Sequence, residues 1–132
     1  MTDAPISILC VEDDRDSRDA MTLMLQQDNP AYNVTTVGTA AEALELVLRK
    51  VYDLFVLDIW LPGMDGLSLC RRLRDHGIKS PIVFFSAMVR PTDKEYSLQA
   101  GANEFLVKPH DVDKFTATVA RLLNHHKSTP NV

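Results

Sequence analysis

Three consecutive acidic residues end the first apolar segment of the chain. In the stretch "ILCVEDD", Glu12, Asp13 and Asp14 come directly after Val11. Carboxylates repel one another and resist removal from water, so a run of acids beside a buried segment is unfavourable by itself. We therefore expect a cation to compensate these charges.

Three other apolar segments also end in a residue that can take part in chemistry. Asp58 ends "DLFVLD", Ser86 ends "PIVFFS" and Lys108 ends "NEFLVK". If these segments are parallel strands of one sheet, their carboxyl ends meet at one edge, where ligands bind in open α/β sheets. The pattern predicts a site that contains an acidic pair, a further carboxylate, a hydroxyl and an ammonium group.

This set of side chains is suited to handling a phosphoryl group. Glu12, Asp13 and Asp58 cannot all stay ionised close together without a cation, and a few carboxylates with open positions suit Mg²⁺. One carboxylate can act as the nucleophile, while Ser86 and Lys108 bind the remaining phosphate oxygens. These residues therefore predict magnesium-dependent phosphoryl transfer.

Short apolar segments separated by helical patterns must position these residues. The segments are rich in Val, Ile, Leu and Phe, as buried parallel strands are; they are "ISILCV", "YNVTTV", "DLFVLD", "PIVFFS" and "NEFLVK". Strands that alternate with helices are typical of α/β folds. We expect a single doubly wound (βα)5 domain, with a five-stranded parallel sheet and helices on both faces.

Capping residues indicate where several helices begin. Residues 39–42 and 92–95 fit the capping box, in which a threonine and a glutamate satisfy each other's free backbone N–H groups. Two further helices are predicted at about residues 17–27 and 111–125. The last of these would face inward with Val112, Phe115, Val119, Leu122 and Leu123. The third helix would begin after the turn-forming "LPGMDG" at residues 61–66.

The composition fits one globular domain and excludes some functions. The chain of 132 residues has 14 basic and 18 acidic side chains, a formal net charge of −4, which argues against direct binding of nucleic acid. Its first residues do not resemble an export signal, and no apolar segment approaches the length of a membrane span, so we expect a cytoplasmic protein without membrane contact. Cys10 and Cys70 lie in apolar patterns and are predicted to be core residues.

Four motifs together resemble the receiver domain of two-component response regulators. They are "VEDD", "DIWLPGMDG", "FFSA" and "VKP", in this order and spacing. The resemblance extends from Ile6 to about Leu123 and implies the flavodoxin-like form of the predicted sheet. We therefore predict a receiver domain over residues 1–124, followed at 125–132 by a polar tail or a truncated linker.

The resemblance implies a role for each acidic residue. Asp58 would be the phosphoacceptor. Asp13 would bind Mg²⁺ directly, Glu12 would hold the ion through water, and the backbone carbonyl of Trp60 would be a further ligand beside Asp58. The third acid, Asp14, matches no such role and is expected in a solvated loop.

The resemblance also implies which groups bind and sense the phosphate. Ser86 and Lys108 match the family's hydroxyl and lysine, and the peptide bond before Pro109 would be cis. Phe105 matches the aromatic residue that moves when the phosphorylated site attracts the hydroxyl. The signal would then be read on the face formed by the fourth helix, the fifth strand and the fifth helix, which is also a candidate homodimer interface.

A receiver domain takes its phosphoryl group from a sensor histidine kinase or a histidine phosphotransfer protein, or from a small donor such as acetyl phosphate. It would catalyse only its own phosphorylation and dephosphorylation, so we do not expect an enzyme that acts on a separate substrate. The sequence does not identify the downstream effector. It also leaves open whether the chain acts alone or is a fragment of a larger regulator or a hybrid kinase.

Two bulky apolar residues flank the expected path of water to phosphorylated Asp58. Trp60 lies two residues after Asp58, and Met88 lies two residues after Ser86. We expect both side chains to slow hydrolysis of the phosphoryl group. The alternative is that Trp60 only packs on the surface or contacts a partner.

Two other functions fit parts of this pattern. A module with the receiver fold can bind partners without phosphorylation, but such chains usually lack at least one of the site residues, and here the set is complete: Glu12, Asp13, Asp58, Ser86 and Lys108. A magnesium-dependent phosphatase with an aspartyl nucleophile typically has a second acid where this chain has Trp60. The phosphoacceptor function is therefore preferred, and the phosphorylation-independent interaction module is the alternative.

Overall fold

The computed structural model describes residues 5–87 and 90–128, in which five strands alternate with five helices. The strands are β1 Ile6–Val11, β2 Tyr32–Val37, β3 Leu54–Leu57, β4 Ile82–Ser86 and β5 Glu104–Val107. The helices are α1 Arg15–Asp28, α2 Ala40–Val47, α3 Gly66–Asp75, α4 Asp93–Gln99 and α5 Phe115–Ser128, the last preceded by a 3-10 turn at Val112–Lys114. None of the helices in these two ranges is long and apolar enough to cross a membrane.

All of the strands are parallel and form one sheet in the order β2-β1-β3-β4-β5. The order reverses at β1, because β2 lies on one side of it and the later strands lie on the other. The reversal leaves a crevice at the carboxyl ends of β1 and β3, which is where ligands bind in such sheets. The predicted doubly wound α/β fold is confirmed.

Two apolar cores cover the two faces of the sheet. One lies under α1 and α5, with Met21, Leu25 and Phe115 among its buried side chains. The other lies under α2, α3 and α4. Cys10 and Cys70 are buried, one in each core, as predicted. Burial raises the pKa of the Cys10 thiol to about 12, so this cysteine is an inert core residue.

Helix α1 begins at Arg15, earlier than the predicted residue 17, because Asp14 caps it. The Asp14 carboxylate accepts a hydrogen bond of 2.9 Å from the backbone N–H of Ser17. This bond lowers the pKa of the Asp14 carboxyl, and an acid at this position also interacts favourably with the helix dipole. Asp14 is exposed and precedes the helix, as expected of a solvated loop residue, and it has the additional role of N-cap of α1.

One of the two predicted capping boxes forms in part: Thr39 caps α2, but Glu42 bonds to the Thr39 hydroxyl and not to its backbone N–H. Thr39 accepts a bond of 3.2 Å from the N–H of Glu42, and its hydroxyl donates to the Glu42 carboxylate at 3.0 Å. Thr92 makes no side-chain capping bond, because its own backbone is helical, with φ −88° and ψ −7°. A cap needs an extended backbone to aim its oxygen at the first turn, so the prediction for Thr92 was wrong.

The start of α5 also differs from the prediction. The Asp111 carboxylate accepts a bond of 2.9 Å from the backbone N–H of the last residue of β5, which keeps the chain in a tight turn and delays the α-helix until Phe115. Of the predicted inner residues, Val112 is exposed and the others are buried. Helix α5 runs to Ser128 and therefore includes the first part of the segment 125–132.

Candidate functional site

The carboxyl ends of four strands bring the predicted site residues together. Glu12, Asp58 and Lys108 each directly follow a strand, and Ser86 is the last residue of β4. The backbone N–H groups of the first three donate to neighbouring strands at 3.0, 3.0 and 2.8 Å. The sheet therefore fixes the backbone from which these side chains project.

Glu12, Asp13 and Asp58 form a compact cluster of carboxylates. One oxygen from each lies within 4.8 Å of the others. Glu12 is 3% exposed, whereas Asp13 faces solvent. The part of the Asp13 carboxyl that is turned away from solvent, together with the hydrogen bond and the negative charge of Glu12, raises the pKa of this group. Carboxylate oxygens are hard donors. A cluster of them that is open to solvent on one side can bind a Mg²⁺ ion.

The ammonium group of Lys108 lies at the buried end of this cluster. Its Nζ donates a bond of 2.5 Å to Oε1 of Glu12 and lies 5.2 Å from the ring centroid of Phe85. Oε2 of Glu12 accepts a second bond of 3.0 Å, from the backbone N–H of Asp14. Glu12 is thus held between a cation and an amide, which offsets the cost of burying its charge.

The Asp58 carboxylate accepts two hydrogen bonds on the same oxygen. Oδ1 accepts a bond of 2.6 Å from the Ser86 hydroxyl and a longer one of 3.3 Å from the backbone N–H of Trp60. Ser86 is fully buried, so its hydroxyl approaches Asp58 from inside the protein. The predicted carboxylate and hydroxyl are therefore in direct contact.

Phe105 lies inside the protein beside β4. Its side chain is 6% exposed, and its ring stacks on that of Phe84 with centroids 6.1 Å apart. Because Phe84 precedes Ser86 by two residues, Phe105 packs against the strand that carries the hydroxyl. The bond between Lys108 and Pro109 is cis, as the resemblance to receiver domains implied.

The loop after β3 approaches the backbone of Asp58 closely. Gly63 adopts a left-handed conformation with φ +78°, which favours glycine. At Gly66, the first residue of α3, an added Cβ would lie 2.0 Å from the carbonyl oxygen of Asp58. Asp65 caps this helix by accepting a bond of 2.8 Å from the N–H of Ser68. The absence of a side chain at position 66 therefore allows α3 to begin directly beside Asp58.

Trp60 and Arg90 lie at the outer edge of the site. Trp60 is 42% exposed, and the guanidinium carbon of Arg90 is 4.8 Å from its ring centroid. The indole therefore contacts the loop that follows β4. Met88, the other residue expected to affect hydrolysis, lies outside the described residues.

Sequence reasoning did not identify two arginines near the site. Arg18 donates through Nη1 to the backbone carbonyls of Glu12 and Asp13, at 2.8 and 2.9 Å, and so fixes the acidic loop. Arg18 lies one helical turn after Asp14, so helix periodicity could have predicted that its side chain lies beside the acidic loop. Arg90 lies in a loop between β4 and α4, whose course no sequence pattern predicted.

Known proteins match this chain over most of its length. The model of the response regulator receiver domain family matches residues 8–120. The chain is 36% identical over 120 residues to the response regulator MprA of Mycobacterium leprae, which covers 91% of this chain and 52% of that protein. It is 34% identical over 112 residues to the transcriptional regulatory protein DltR of Streptococcus agalactiae, which covers 85% of this chain and 49% of that protein.

A solved structure shows the same similarity. The BeF3-activated N-terminal receiver domain of RstA from Klebsiella pneumoniae superposes with a TM-score of 0.81 at 30% identity, covering 89% of this chain and 97% of that one. The chain spans about half the length of the curated relatives named above.

Proposed function

This chain belongs to the family of response regulator receiver domains, and from this premise we propose that Asp58 is its phosphoacceptor. The proposed setting is two-component signalling, with a sensor kinase before the chain and an effector after it, which membership of this family supports. The observation that supports Asp58 is its position: it shares a carboxylate cluster with Glu12 and Asp13 and accepts a hydrogen bond of 2.6 Å from the hydroxyl of Ser86.

In the proposed reaction, a carboxylate oxygen of Asp58 attacks the phosphorus of a phosphohistidine. The new bond between phosphorus and oxygen forms as the bond between phosphorus and the histidine nitrogen breaks, and the nitrogen keeps the electron pair. The Lys108 ammonium and the Ser86 hydroxyl bind oxygens of the transferred group. The domain would catalyse only this step and the later loss of the phosphoryl group to water.

The acidic cluster is the proposed magnesium site. Asp13 and Asp58 would bind the ion directly, Glu12 would hold it through water, and the backbone carbonyl of Trp60 would add a ligand. When bound there, Mg²⁺ would offset negative charge on the phosphate oxygens. The crowding of three carboxylates within 4.8 Å supports this assignment.

Phosphorylation would stabilise an arrangement that the protein can already adopt. Ser86 already points at Asp58, and Phe105 already packs inward against β4. The phosphate oxygens would strengthen the pull on the Ser86 hydroxyl and so shift the population toward this arrangement. The readout surface would be the face of α4, β5 and α5.

The proposed donor is a sensor histidine kinase or a histidine phosphotransfer protein, and the readout surface would bind an effector or a second copy of the chain. With a net charge of −4, the chain is not proposed to contact nucleic acid itself. Because this chain spans about half of MprA and DltR, output through an attached effector domain and output through protein contacts both fit it.

Beryllium fluoride, which mimics a phosphoryl group on a carboxylate, tests the site without a kinase. We expect wild type to bind it in isothermal titration calorimetry only when Mg²⁺ is present, with a parallel change in Trp60 fluorescence. Asp58→Asn should abolish binding, and Asp13→Asn should require roughly tenfold more Mg²⁺, because it removes a charged ligand. Folded wild type that does not bind would favour the phosphorylation-independent interaction module.

A further inference from the structure

The side chains of three residues near Asp58 form a chain of contacts that the phosphoryl transfer described above does not use. The Arg90 guanidinium carbon lies 4.8 Å from the ring centroid of Trp60. Arg90 is also bound to Asp93, since its Nε donates to Oδ1 at 3.2 Å and its backbone N–H donates to Oδ2 at 2.6 Å. We call this set of residues the clamp: Trp60, Arg90 and Asp93.

The clamp has a buried anchor and an exposed outer part. The Asp93 carboxylate is fully buried, whereas the Arg90 side chain is 60% exposed and Trp60 is 42% exposed. A buried carboxylate that accepts two bonds from one residue holds that residue more firmly than a surface ion pair does. The buried Asp93 carboxylate therefore holds Arg90 in place, with the guanidinium group against the indole ring.

The clamp joins the two loops that carry the site. Trp60 follows Asp58 by two residues in the loop after β3, and Arg90 follows Ser86 by four residues in the loop after β4. These strands are neighbours in the sheet. The backbone of Trp60 and the side chain of Ser86 both bond to Oδ1 of Asp58. The indole and the guanidinium group therefore connect the two loops that supply the hydrogen-bond partners of this oxygen.

We propose that Arg90 is a positioning residue that holds Trp60 as a cover beside phosphorylated Asp58 and thereby slows loss of the phosphoryl group to water. This inference rests on the proposed phosphoacceptor function. Hydrolysis joins the oxygen of water to phosphorus and breaks the bond between phosphorus and the Asp58 oxygen. The carboxylate is released, one hydrogen stays on the oxygen of the attacking water, and its other proton passes to a phosphate oxygen. Water must approach in line with the leaving oxygen, so a fixed bulky cover lowers the rate.

Two measurements on one set of variants test this proposal. The half-life of the phosphoryl group is followed by intact mass after acetyl phosphate is removed, at constant Mg²⁺. Access to Trp60 is measured by acrylamide quenching in unphosphorylated protein. Arg90→Gln and Asp93→Asn should each shorten the half-life about threefold or more, the size expected for losing one cation–π contact, and should increase quenching. Trp60→Asn should shorten the half-life at least as much.

The controls separate positioning from general stability. Arg90→Lys keeps a cation near the ring and should lie closer to wild type than Arg90→Gln. Arg49→Gln removes an equally charged side chain from the exposed pair with Glu45 on α2, 3.1 Å apart, and should change neither readout. Circular dichroism melting confirms that each variant is folded at the assay temperature.

Each remaining outcome contradicts a defined claim. Unchanged quenching in Arg90→Gln would overturn the clamp, and increased quenching with an unchanged half-life would overturn its protective role. A wild-type protein that gains no phosphoryl group would contradict the proposed function and the protective role with it. In that case the quenching measurement would still decide whether the clamp exists.

Discussion

Gly66→Ala is expected to lower the free energy of unfolding by about 3 kcal/mol, as overpacking against rigid backbone does. The added Cβ would lie 2.0 Å from the carbonyl oxygen of Asp58. Helix α3 cannot simply move away, because the Gly66 N–H donates a bond of 2.8 Å to the carbonyl of Ile59. Urea denaturation followed by far-ultraviolet circular dichroism gives the change directly.

Gly63→Ala is the matched control in the same loop. Gly63 has φ +78°, and no atom of the described residues outside its two chain neighbours lies within 4 Å of an added Cβ, so this variant introduces backbone strain without a clash. A loss of about 1 kcal/mol is expected for a side chain in the left-handed region. If Gly66→Ala were no less stable than Gly63→Ala, the close approach of α3 to Asp58 would be contradicted.

Lys108→Met is expected to slow phosphorylation by acetyl phosphate about hundredfold or more, the effect typical of removing one group that stabilises a developing charge. The Lys108 ammonium lies 2.5 Å from Oε1 of Glu12, and so within the acidic cluster where the phosphate would arrive. Methionine keeps most of the length of the side chain but removes the cation. Initial rates by intact mass, at saturating Mg²⁺, provide the measurement.

Lys114→Met controls for the loss of one positive charge. The Lys114 side chain is 65% exposed, and its ammonium lies 3.6 Å from Asp111. Because it lies outside the acidic cluster, Lys114→Met should be phosphorylated at the rate of wild type. Lys108→Met is also expected to be less stable, because Glu12 would stay buried without its cation. Rates are therefore compared at a temperature where both variants are folded. Equal rates for the two variants would show that Lys108 does not assist the transfer.

The fold could be predicted because strands buried on both faces are continuous apolar runs. Each of the predicted runs corresponds to a strand of the sheet, and polar residues directly follow or end the strands that form the site. The parallel arrangement then requires Glu12, Asp58, Ser86 and Lys108 to meet at one edge, whatever the details of the loops. The structure adds the hydrogen bonds themselves, between Lys108 and Glu12 and between Ser86 and Asp58.

Local choices between competing hydrogen bonds could not be predicted. Asp14 and Ser17 both have side chains that cap helices, and the structure uses Asp14. Thr92 had the spacing of a capping box, but Asp93 instead accepts two bonds from Arg90. In each case several side chains could bond to nearby backbone groups, and the tertiary course of the loop decides which one does.

The clamp was invisible to sequence patterns for a related reason. Trp60 was singled out by its position after Asp58, but its contact with Arg90 joins two loops that are thirty residues apart in the sequence. Neither hydrophobic periodicity nor a motif reports such a contact. It required the order of β3 and β4 in the sheet together with the path of the loop after β4.

Intact-mass analysis after brief incubation with acetyl phosphate and Mg²⁺ tests the central claim most directly. The account predicts that wild type gains one phosphoryl group, that chelation of Mg²⁺ prevents the gain, and that Asp58→Asn gains none while remaining folded. Fragmentation of the modified protein should place the group on Asp58. A phosphoryl group found on Asp58→Asn, or a gain that persists without Mg²⁺, would contradict the account.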